Sequence, residues 1–308
     1  MVTIITLPAQ VQSELILMII RIIFTVLLIT ANIFFSLGQK DVGKLLTVIS
    51  IVSDKIENEG ATSSYLKIRG WAYYSLDSLQ PALRDFNKAI ELDPYNHDLY
   101  ARRGGIEFEM KDYNSSIIDY TKALGISPDS LNYYISRGVS YEQVGSLNQA
   151  LSDYSYVLKK MPTNEFALRN RAILYCNGLS DFQKGVLDWN SLVKIYPTAE
   201  HYNDRGFLFM KRGDYEMAEK DFDNAIKKDY KNENYLAYRG FCLGMMGKTQ
   251  EAIRDFSVSE KLRPDNPLLF KYRGQIFLKL GEKDKACKDF AEAKRLGLKL
   301  ETLLTECK

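Results

Sequence analysis

Residues 63–96 of the chain read SSYLKIRGWAYYSLDSLQPALRDFNKAIELDPYN, and the next 34 residues keep the same pattern. The dipeptide Arg-Gly marks the period, because it recurs at spacings of 34, 34, 68, 34 and 34 residues, with Arg171-Ala172 at the midpoint of the double spacing. A fixed period of this length is typical of an architecture in which each unit buries its apolar face against its neighbours. Seven units therefore fill residues 63–300.

A second set of residues keeps the same phase in each unit. An Asp follows each of these Arg residues by 16 positions, except in the fourth unit, where Asp188 comes one position late. An aromatic residue follows each Asp, and a small residue lies four positions before that aromatic residue, as Ala82 lies before Phe86. Residues three and four apart share one face of a helix. Each unit is therefore predicted to be two helices, and the small residues let their backbones approach closely.

The break between the two helices of a unit is also marked. Glycines stand at one register in four units, and Asn177-Gly178 stands one place earlier in the fourth; the four glycines are Gly145, Gly213, Gly247 and Gly281. Glycine tolerates the left-handed conformation that a helix end needs. Proline closes five of the units and is expected to end the second helix.

This pattern resembles the tetratricopeptide repeat. The first unit matches the conserved positions of that family with Leu66, Gly70, Tyr73, Ala82, Phe86, Ala89 and Pro94. The resemblance implies an all-α fold, namely a right-handed superhelical solenoid of seven antiparallel helix pairs. The pairs are expected at residues 63–96, 97–130, 131–164, 165–198, 199–232, 233–266 and 267–300.

Both ends of the array are expected to carry a cap, because the end units of a solenoid otherwise expose an apolar face. Apolar residues at helical spacing, such as Leu45, Val52 and Ile56, predict an extra amino-terminal helix within residues 39–62. Leu300, Leu303 and Leu304 predict a short capping helix at residues 301–308. The fourth unit carries one extra residue at its turn, so we expect a local irregularity of helix pairing there. The second unit departs from the pattern with Glu107, where Tyr is expected.

The amino terminus differs from the rest of the chain. Residues 22–37 read IIFTVLLITANIFFSL without a charge, after Arg21 and before a small-residue site ahead of Gln39. Residues 1–38 are therefore interpreted as a secretory signal peptide cleaved near Gly38, with Met1 or Met18 as the start. An uncleaved membrane anchor at residues 15–37 is the alternative. The sequence SLGQK resembles signal ends of exported Bacteroidetes-like proteins, which implies a periplasmic or outer-surface location.

Composition argues against catalysis and against nucleic acid. The 41 basic and 39 acidic residues are interleaved and give a net charge of +2, whereas nucleic acid binding needs a basic face. We find no phosphate-binding loop, zinc-protease, serine-hydrolase or calcium-binding motif, so we expect no enzyme, cofactor or metal. His97 and His201 are expected at the surface. The four cysteines are expected to be mainly buried free thiols, with a disulfide between Cys287 and Cys307 as the alternative.

The repeated Arg and Asp residues admit two interpretations. They could form an anion-binding row along a groove, or they could pair across the helix seam and fix its register. We favour the structural pairing, because Arg69 adjoins Gly70 and Asp85 adjoins Phe86 at that seam.

In the tetratricopeptide family the first helix of each pair lines a concave groove. The groove positions correspond here to a mixed-charge, partly aromatic surface, whose candidate partner-binding residues are Lys67, Trp71, Tyr74, Phe108, Arg169, Phe207, Met210, Phe241, Met245 and Lys271. Further groove positions fall on Ala101, Glu109, Ile135, Val139, Glu142, Ile173, Asn177, Asn203, Lys211, Ala237, Leu278 and Lys279. The family's clamp for chaperone tails is not expected, because Ile68 and Trp71 follow Lys67.

We therefore predict a non-catalytic scaffold of the cell envelope that binds a protein or peptide segment. The alternative is a carbohydrate- or lipid-binding accessory protein that stacks its ligand on Trp71 and Tyr74. No nucleic acid partner is expected, and membrane contact is expected only through an uncleaved amino-terminal segment.

Overall fold

The computed structural model describes residues 41–300, Leu303 and Cys307. The predicted signal peptide or anchor and most of the predicted carboxy-terminal cap lie outside these residues. Within the described part all regular secondary structure is helical, which confirms the all-α prediction. None of the described helices is both long enough and apolar enough to cross a membrane.

Seven helix pairs follow one amino-terminal helix, Val42–Glu59. Pairs 1 to 3 are Ser63–Ser75 with Leu79–Leu92, His97–Glu109 with Tyr113–Ile126, and Leu131–Gln143 with Leu147–Lys160. In pair 4 the first helix is Glu165–Ile173 with a π-helical turn, Leu174–Gly178, and the second is Phe182–Ile195. Pairs 5 to 7 are Ala199–Arg212 with Tyr215–Lys228, Glu233–Met245 with Thr249–Leu262, and Pro267–Lys279 with Lys283–Arg295.

The chain divides into two compact units, Met1–Tyr133 and Tyr134–Lys308. In the first unit the core includes Leu66, Phe86 and Leu99, against which Ile56 of the amino-terminal helix packs. In the second unit the aromatic residue of each pair is buried, as Phe222, Phe256 and Phe290 are. Full burial of such a side chain contributes about 1.5–3 kcal/mol to stability. The aromatic position of the repeat therefore forms the core of each unit, as the sequence predicts.

Close approach of paired helices depends on the small residues that recur in each repeat. A Cβ atom added to Gly138 would lie 2.6 Å from Cε1 of Tyr154, which is well inside van der Waals contact. Pair 4 reverses this arrangement, because Ala172 stands at the glycine position and Gly185 at the alanine position. The Sγ atom of Cys176 lies only 2.1 Å from where a Cβ of Gly185 would be. In this pair the glycine thus lies on the second helix, where it leaves room for the Cys176 side chain.

Each pair turns through one residue with a left-handed backbone. Glycine holds this place where the sequence predicts it, with φ between 75° at Gly145 and 83° at Gly213. Asp77, Lys111 and Ser180 occupy the same place in pairs 1, 2 and 4, with φ of 58°, 63° and 54°. The interpretation of Gly178 as the turn glycine of pair 4 is therefore wrong. The extra residue is taken up by the π-helical turn, which moves the left-handed residue to Ser180 and confirms the expected irregularity.

The repeated Arg and Asp residues form bidentate ion pairs in all seven helix pairs. In pair 6 Nε and Nη2 of Arg239 each donate to Asp255 at 2.8 Å, and Nη1 reaches Asp223 of pair 5 at 2.9 Å. In pair 2 the guanidinium of Arg103 likewise bonds Asp119 and reaches Asn87 of pair 1. These side chains hold the two helices of a pair and the preceding pair together, which supports the structural interpretation.

Two expectations about single residues are wrong. His201 is buried at 4% exposure, because its ring Nδ1 lies 2.9 Å from the carbonyl oxygen of Tyr196 and its Nε2 lies 3.2 Å from Glu165. Cys287 and Cys307 form a disulfide, so the second helix of pair 7 is tied to the carboxy terminus. Cys176 and Cys242 are free thiols.

Candidate functional site

In the first unit the predicted groove positions are partly enclosed. Lys67 of pair 1 forms an ion pair with Asp98 of pair 2, with 3.5 Å between Nζ and Oδ2. Tyr74 is half-buried and packs against the core, and Trp71 is also half-buried. The Phe108 ring lies 5.2 Å from the ring of Tyr113 within pair 2. These residues offer an aromatic surface that is already engaged in packing.

In the second unit a cleft opens between the first helices of pairs 4 and 5. Its volume is about 390 Å³. Six of its lining residues are positions at which the sequence predicts a groove, namely Arg169, Ile173, Asn177, Asn203, Phe207 and Lys211. Because consecutive first helices lie side by side here, residues about one repeat apart in the sequence face a common space. The structure thus brings Arg169 and Phe207 together at one site.

The polar side of this cleft is organised around Asp204. Arg169 donates to Oδ2 of Asp204 at 2.8 Å, although the Arg169 side chain stays 49% exposed. The Asn203 amide nitrogen Nδ2 donates to Oδ1 of the same carboxylate at 3.3 Å. The Asn203 side-chain oxygen Oδ1 is buried and has no hydrogen-bond partner among the described residues. The ammonium of Lys211 lies 5.3 Å from the centre of the Phe207 ring.

The remaining predicted residues form a separate cluster in pairs 5 to 7. The Phe241 ring lies 5.0 Å from the ring of Tyr272, and the Lys271 ammonium lies 4.9 Å from that same ring. Burial lowers the pKa of Lys271, since desolvation disfavours its charged form. Met245 packs at the edge of the core, whereas Met210 is buried within it at 7% exposure. Met210 is therefore not part of the accessible surface.

Five cleft residues were not identified from the sequence: Cys176, Trp189, Asp204, Leu208 and Tyr238. In the sequence, Trp189 is recognisable only as the core aromatic residue of its unit, and Tyr238 only as a residue of a first helix. Cys176 stands at the repeat position of Tyr74 and Phe108, so the register of the groove positions could have identified it. Burial raises the pKa of its thiol to about 11, so the thiol stays protonated near neutral pH and is a poor nucleophile.

The cleft combines apolar walls with polar side chains. Aromatic and aliphatic walls with a few fixed polar groups are typical of sites that recognise a ligand. The described residues contain no group of three or more His, Cys, Asp or Glu side chains placed to hold a metal ion.

The comparisons with known proteins agree with this fold. A family model described as tetratricopeptide repeat matches residues 68–96 and 97–130. A tetratricopeptide repeat protein from Parabacteroides merdae has a similar structure, with a TM-score of 0.61 and 23% identity over 80% of this chain and 97% of that one. Its source fits the Bacteroidetes-like resemblance, although identity at this level is evidence for the fold alone.

Two further solved structures share the fold. Yeast Tom70 matches with a TM-score of 0.55 and 18% identity over 86% of this chain and 57% of that one. The APC/C hetero-tetramer Cut9–Hcn1 matches with a TM-score of 0.53 and 16% identity over 76% of this chain and 46% of that one. No curated protein sequence matches the chain.

Proposed function

Because the chain is a tetratricopeptide repeat protein, we propose that it is a non-catalytic adaptor that binds a peptide segment of another protein along the first helices of its pairs. Such repeats commonly mediate contacts between proteins and are generally non-catalytic scaffolds. Cut9, which is similar in fold, forms a hetero-tetramer with Hcn1. The cleft between pairs 4 and 5 is the observation that carries the proposal, since six predicted groove positions line it.

The location of this adaptor is a proposal from the sequence. We propose that the chain is exported to the cell envelope and cleaved ahead of Gln39, because the uncharged segment at residues 22–37 ends at a small-residue site. Mass spectrometry of the mature amino terminus tests this step. Gln39 as the first residue supports cleavage, whereas a chain that starts at Met1 or Met18 supports the membrane anchor.

The binding surface is tested with paired charge reversals. The groove variant carries Arg169→Glu and Lys211→Glu, and the control carries Lys194→Glu and Lys220→Glu, which are exposed on the second helices of pairs 4 and 5. We expect wild type and control to recover one stoichiometric protein from envelope extract, and the groove variant to lose it. Equal recovery by the groove variant would contradict binding at this surface.

The carbohydrate- or lipid-binding alternative makes a different prediction. Trp71 and Tyr74 are half-buried, and Tyr74 packs against the core, so they form a poor stacking platform. A glycan array bound by wild type and not by Trp71→Ala, together with no recovered protein, would favour this alternative over the adaptor.

A further inference from the structure

The ammonium of Lys271 has no acceptor. This residue lies in the first helix of pair 7, and its Nζ atom stands 4.9 Å from the centre of the Tyr272 ring. No ion pair or hydrogen bond reaches Nζ within the described residues. The side chain is half-buried, and burial lowers its pKa because desolvation disfavours the charged form. A partly desolvated charge of this kind gains more from an added carboxylate than an exposed charge does.

Apolar residues flank Lys271 on the same face of its helix. Leu268 lies three residues before it and Leu278 seven residues after it, a spacing that places all three on one side of the helix. Both leucines are half-buried at the edge of the core. Nζ of Lys271 is not among the described polar atoms that are sealed from solvent without a partner, so a ligand can reach it. The face therefore presents one cation between two apolar side chains.

The other cations of this helix already have acceptors. Arg273 bonds both Asp289 and Glu260, and Lys279 donates to a backbone carbonyl of pair 6. In the described part of the chain, Lys271 is thus the cation of this helix that lacks an acceptor. A single carboxylate matches one such ammonium, whereas a phosphate carries nearly two negative charges at neutral pH and favours a cluster of cations.

The second unit as a whole has an excess of positive charge. Residues 134–308 contain 29 basic and 24 acidic residues. The helix Pro267–Lys279 itself has no acidic residue. An acidic segment is therefore attracted to this unit and meets no like charge on this helix, whereas a basic segment is repelled.

We propose that the first helix of pair 7 binds an acidic side chain of the partner segment, a Glu or Asp whose carboxylate pairs with Nζ of Lys271. The inference rests on the proposed adaptor function and adds the chemical class of the segment. Apolar residues on either side of the acidic one cover Leu268 and Leu278, so the segment continues past Lys271 in both directions. This arrangement favours an internal acidic side chain over a carboxyl terminus.

The site is tested with short peptides of known sequence. Acetyl-Leu-Ala-Glu-Ala-Leu amide and its counterpart with Gln in place of Glu are titrated into the full chain in mild detergent, with binding followed by ligand-detected NMR. We expect the Glu peptide to bind about tenfold more tightly, because only its side chain pairs with the ammonium. Equal affinity for the two peptides, or no saturable binding of the Glu peptide, would overturn the proposal.

Two further peptides identify the kind of anion. One is the Gln peptide with a free carboxyl terminus, and the other carries phosphoserine in place of Glu. We expect both to bind more weakly than the Glu peptide. Tighter binding of the first would assign the site to a chain end, and tighter binding of the second would assign it to a phosphate. Either result would reject an internal acidic side chain.

The pKa of Lys271 reports the contact directly. The chain is labelled with isotopic lysine, and the Cε resonance of Lys271 is identified by its loss in Lys271→Arg. We expect a pKa below the usual range in the free chain and a higher pKa with the Glu peptide, since a carboxylate stabilises the charged form. A normal pKa in the free chain would show that the ammonium already has a partner, and an unchanged pKa with the Glu peptide would show that no contact forms; both count against the site.

A variant assigns the preference to Lys271. Lys271→Met keeps a side chain of similar length without the charge, so it should bind the Glu and Gln peptides equally. Lys261→Met, at an exposed residue on the second helix of pair 6, serves as control and should keep the preference. If Lys271→Met does not fold, the affinities and the pKa measured on wild type still decide.

The failure of this inference differs from the failure of the adaptor proposal. A protein partner that is lost with Arg169→Glu and Lys211→Glu, combined with Glu and Gln peptides that bind equally, leaves the adaptor in place and rejects the acidic side chain. A preference for the Glu peptide without any protein partner supports the site at Lys271 and rejects the adaptor.

Discussion

Gly185 and Cys176 depend on each other, and this pair decides how the inserted residue is accommodated. An added Cβ at Gly185 would lie 2.1 Å from the Cys176 sulfur. We expect Gly185→Ala to lower the free energy of unfolding by about 1–3 kcal/mol through overpacking. Cys176→Ala should relieve this clash, so the double variant should lose less than the sum of the two single variants.

Gly125 is the matched control for this prediction. It lies within the second helix of pair 2, and no atom stands within 4 Å of an added Cβ. Gly125→Ala should therefore raise stability by about 0.5–1 kcal/mol through helix propensity. Denaturant titrations of the variants measure all of these values. Additive effects of Cys176→Ala and Gly185→Ala would contradict the contact.

Glu107 holds a proton that most carboxylates have lost near neutral pH. Burial, together with the nearby Asp119, raises its pKa to about 8 against the opposing effect of Arg103. Since the folded pKa lies above the unfolded one, the folded chain binds more protons between about pH 4.5 and pH 8. Stability should fall as pH rises through this window, by at most ~1.4 kcal/mol per pH unit from this group.

Glu107→Gln isolates that contribution. Its neutral amide cannot ionise, so the variant should lose this part of the pH slope and gain stability relative to wild type above pH 8. Denaturant titrations at a series of pH values, run on both proteins in parallel, measure the difference. The same pH slope in both proteins would show that Glu107 titrates normally.

Within each helix pair the Arg–Asp contact fixes the alignment of the first helix along the second. Arg239 is one example, because it bonds Asp255 of its own pair and Asp223 of the preceding pair. Arg239→Ala leaves the largely buried Asp255 without its partner, and we expect a loss of about 1–3 kcal/mol in stability. Arg263→Ala, which removes an exposed pair, is the control and should change stability little.

Partner binding separates this structural role from an anion-binding role. If Arg239→Ala abolished binding and left the unfolding midpoint unchanged, the structural interpretation of the Arg–Asp contact would be wrong. The same test applies to Arg137, whose guanidinium bonds Asp153 through Nε and Nη2.

The last helix pair carries a covalent tie to the carboxy terminus. The Cys287–Cys307 disulfide joins residues 20 positions apart. Leu300 is buried, and Leu303 and Cys307 pack against the core of the second unit. Reduction should lower stability by about 3 kcal/mol, because the open chain gains conformational freedom on unfolding.

Thiol counting on the denatured chain checks this disulfide directly. Two reactive thiols are expected before reduction and four after it, since the sequence has four cysteines. The paired variant Cys287→Ser with Cys307→Ser should match the reduced wild type in stability. Four reactive thiols before reduction would show that Cys287 and Cys307 do not form a disulfide.

For the molecule as a whole, the structural features that could be predicted from the sequence are those that recur with the 34-residue period. The 34-residue spacing predicts seven helix pairs, the small residues at their seam and the aromatic core, because each repeat sees nearly the same neighbours. The ion pairs follow for the same reason. Six lining residues of the cleft could be predicted because they repeat at first-helix positions.

Features that break the repeat could not be predicted in this way. The π-helical turn shifts the left-handed residue of pair 4 to Ser180, a place that the register of the repeat does not give. His201 is buried because Tyr196 and Glu165 supply partners, and neither contact is periodic. The unpaired oxygen of Asn203 depends on the orientation of one amide, which is fixed by Asp204 and Arg169 from two different helix pairs.

The central claim is that the first helices of the pairs form the binding surface. Hydrogen–deuterium exchange of the full chain, with and without the segment of the partner that it recovers, measures this directly. We expect slower exchange on binding in Glu165–Ile173, Ala199–Arg212 and Glu233–Met245, with little change in Phe182–Ile195 and Tyr215–Lys228. Slower exchange confined to those second helices would contradict it.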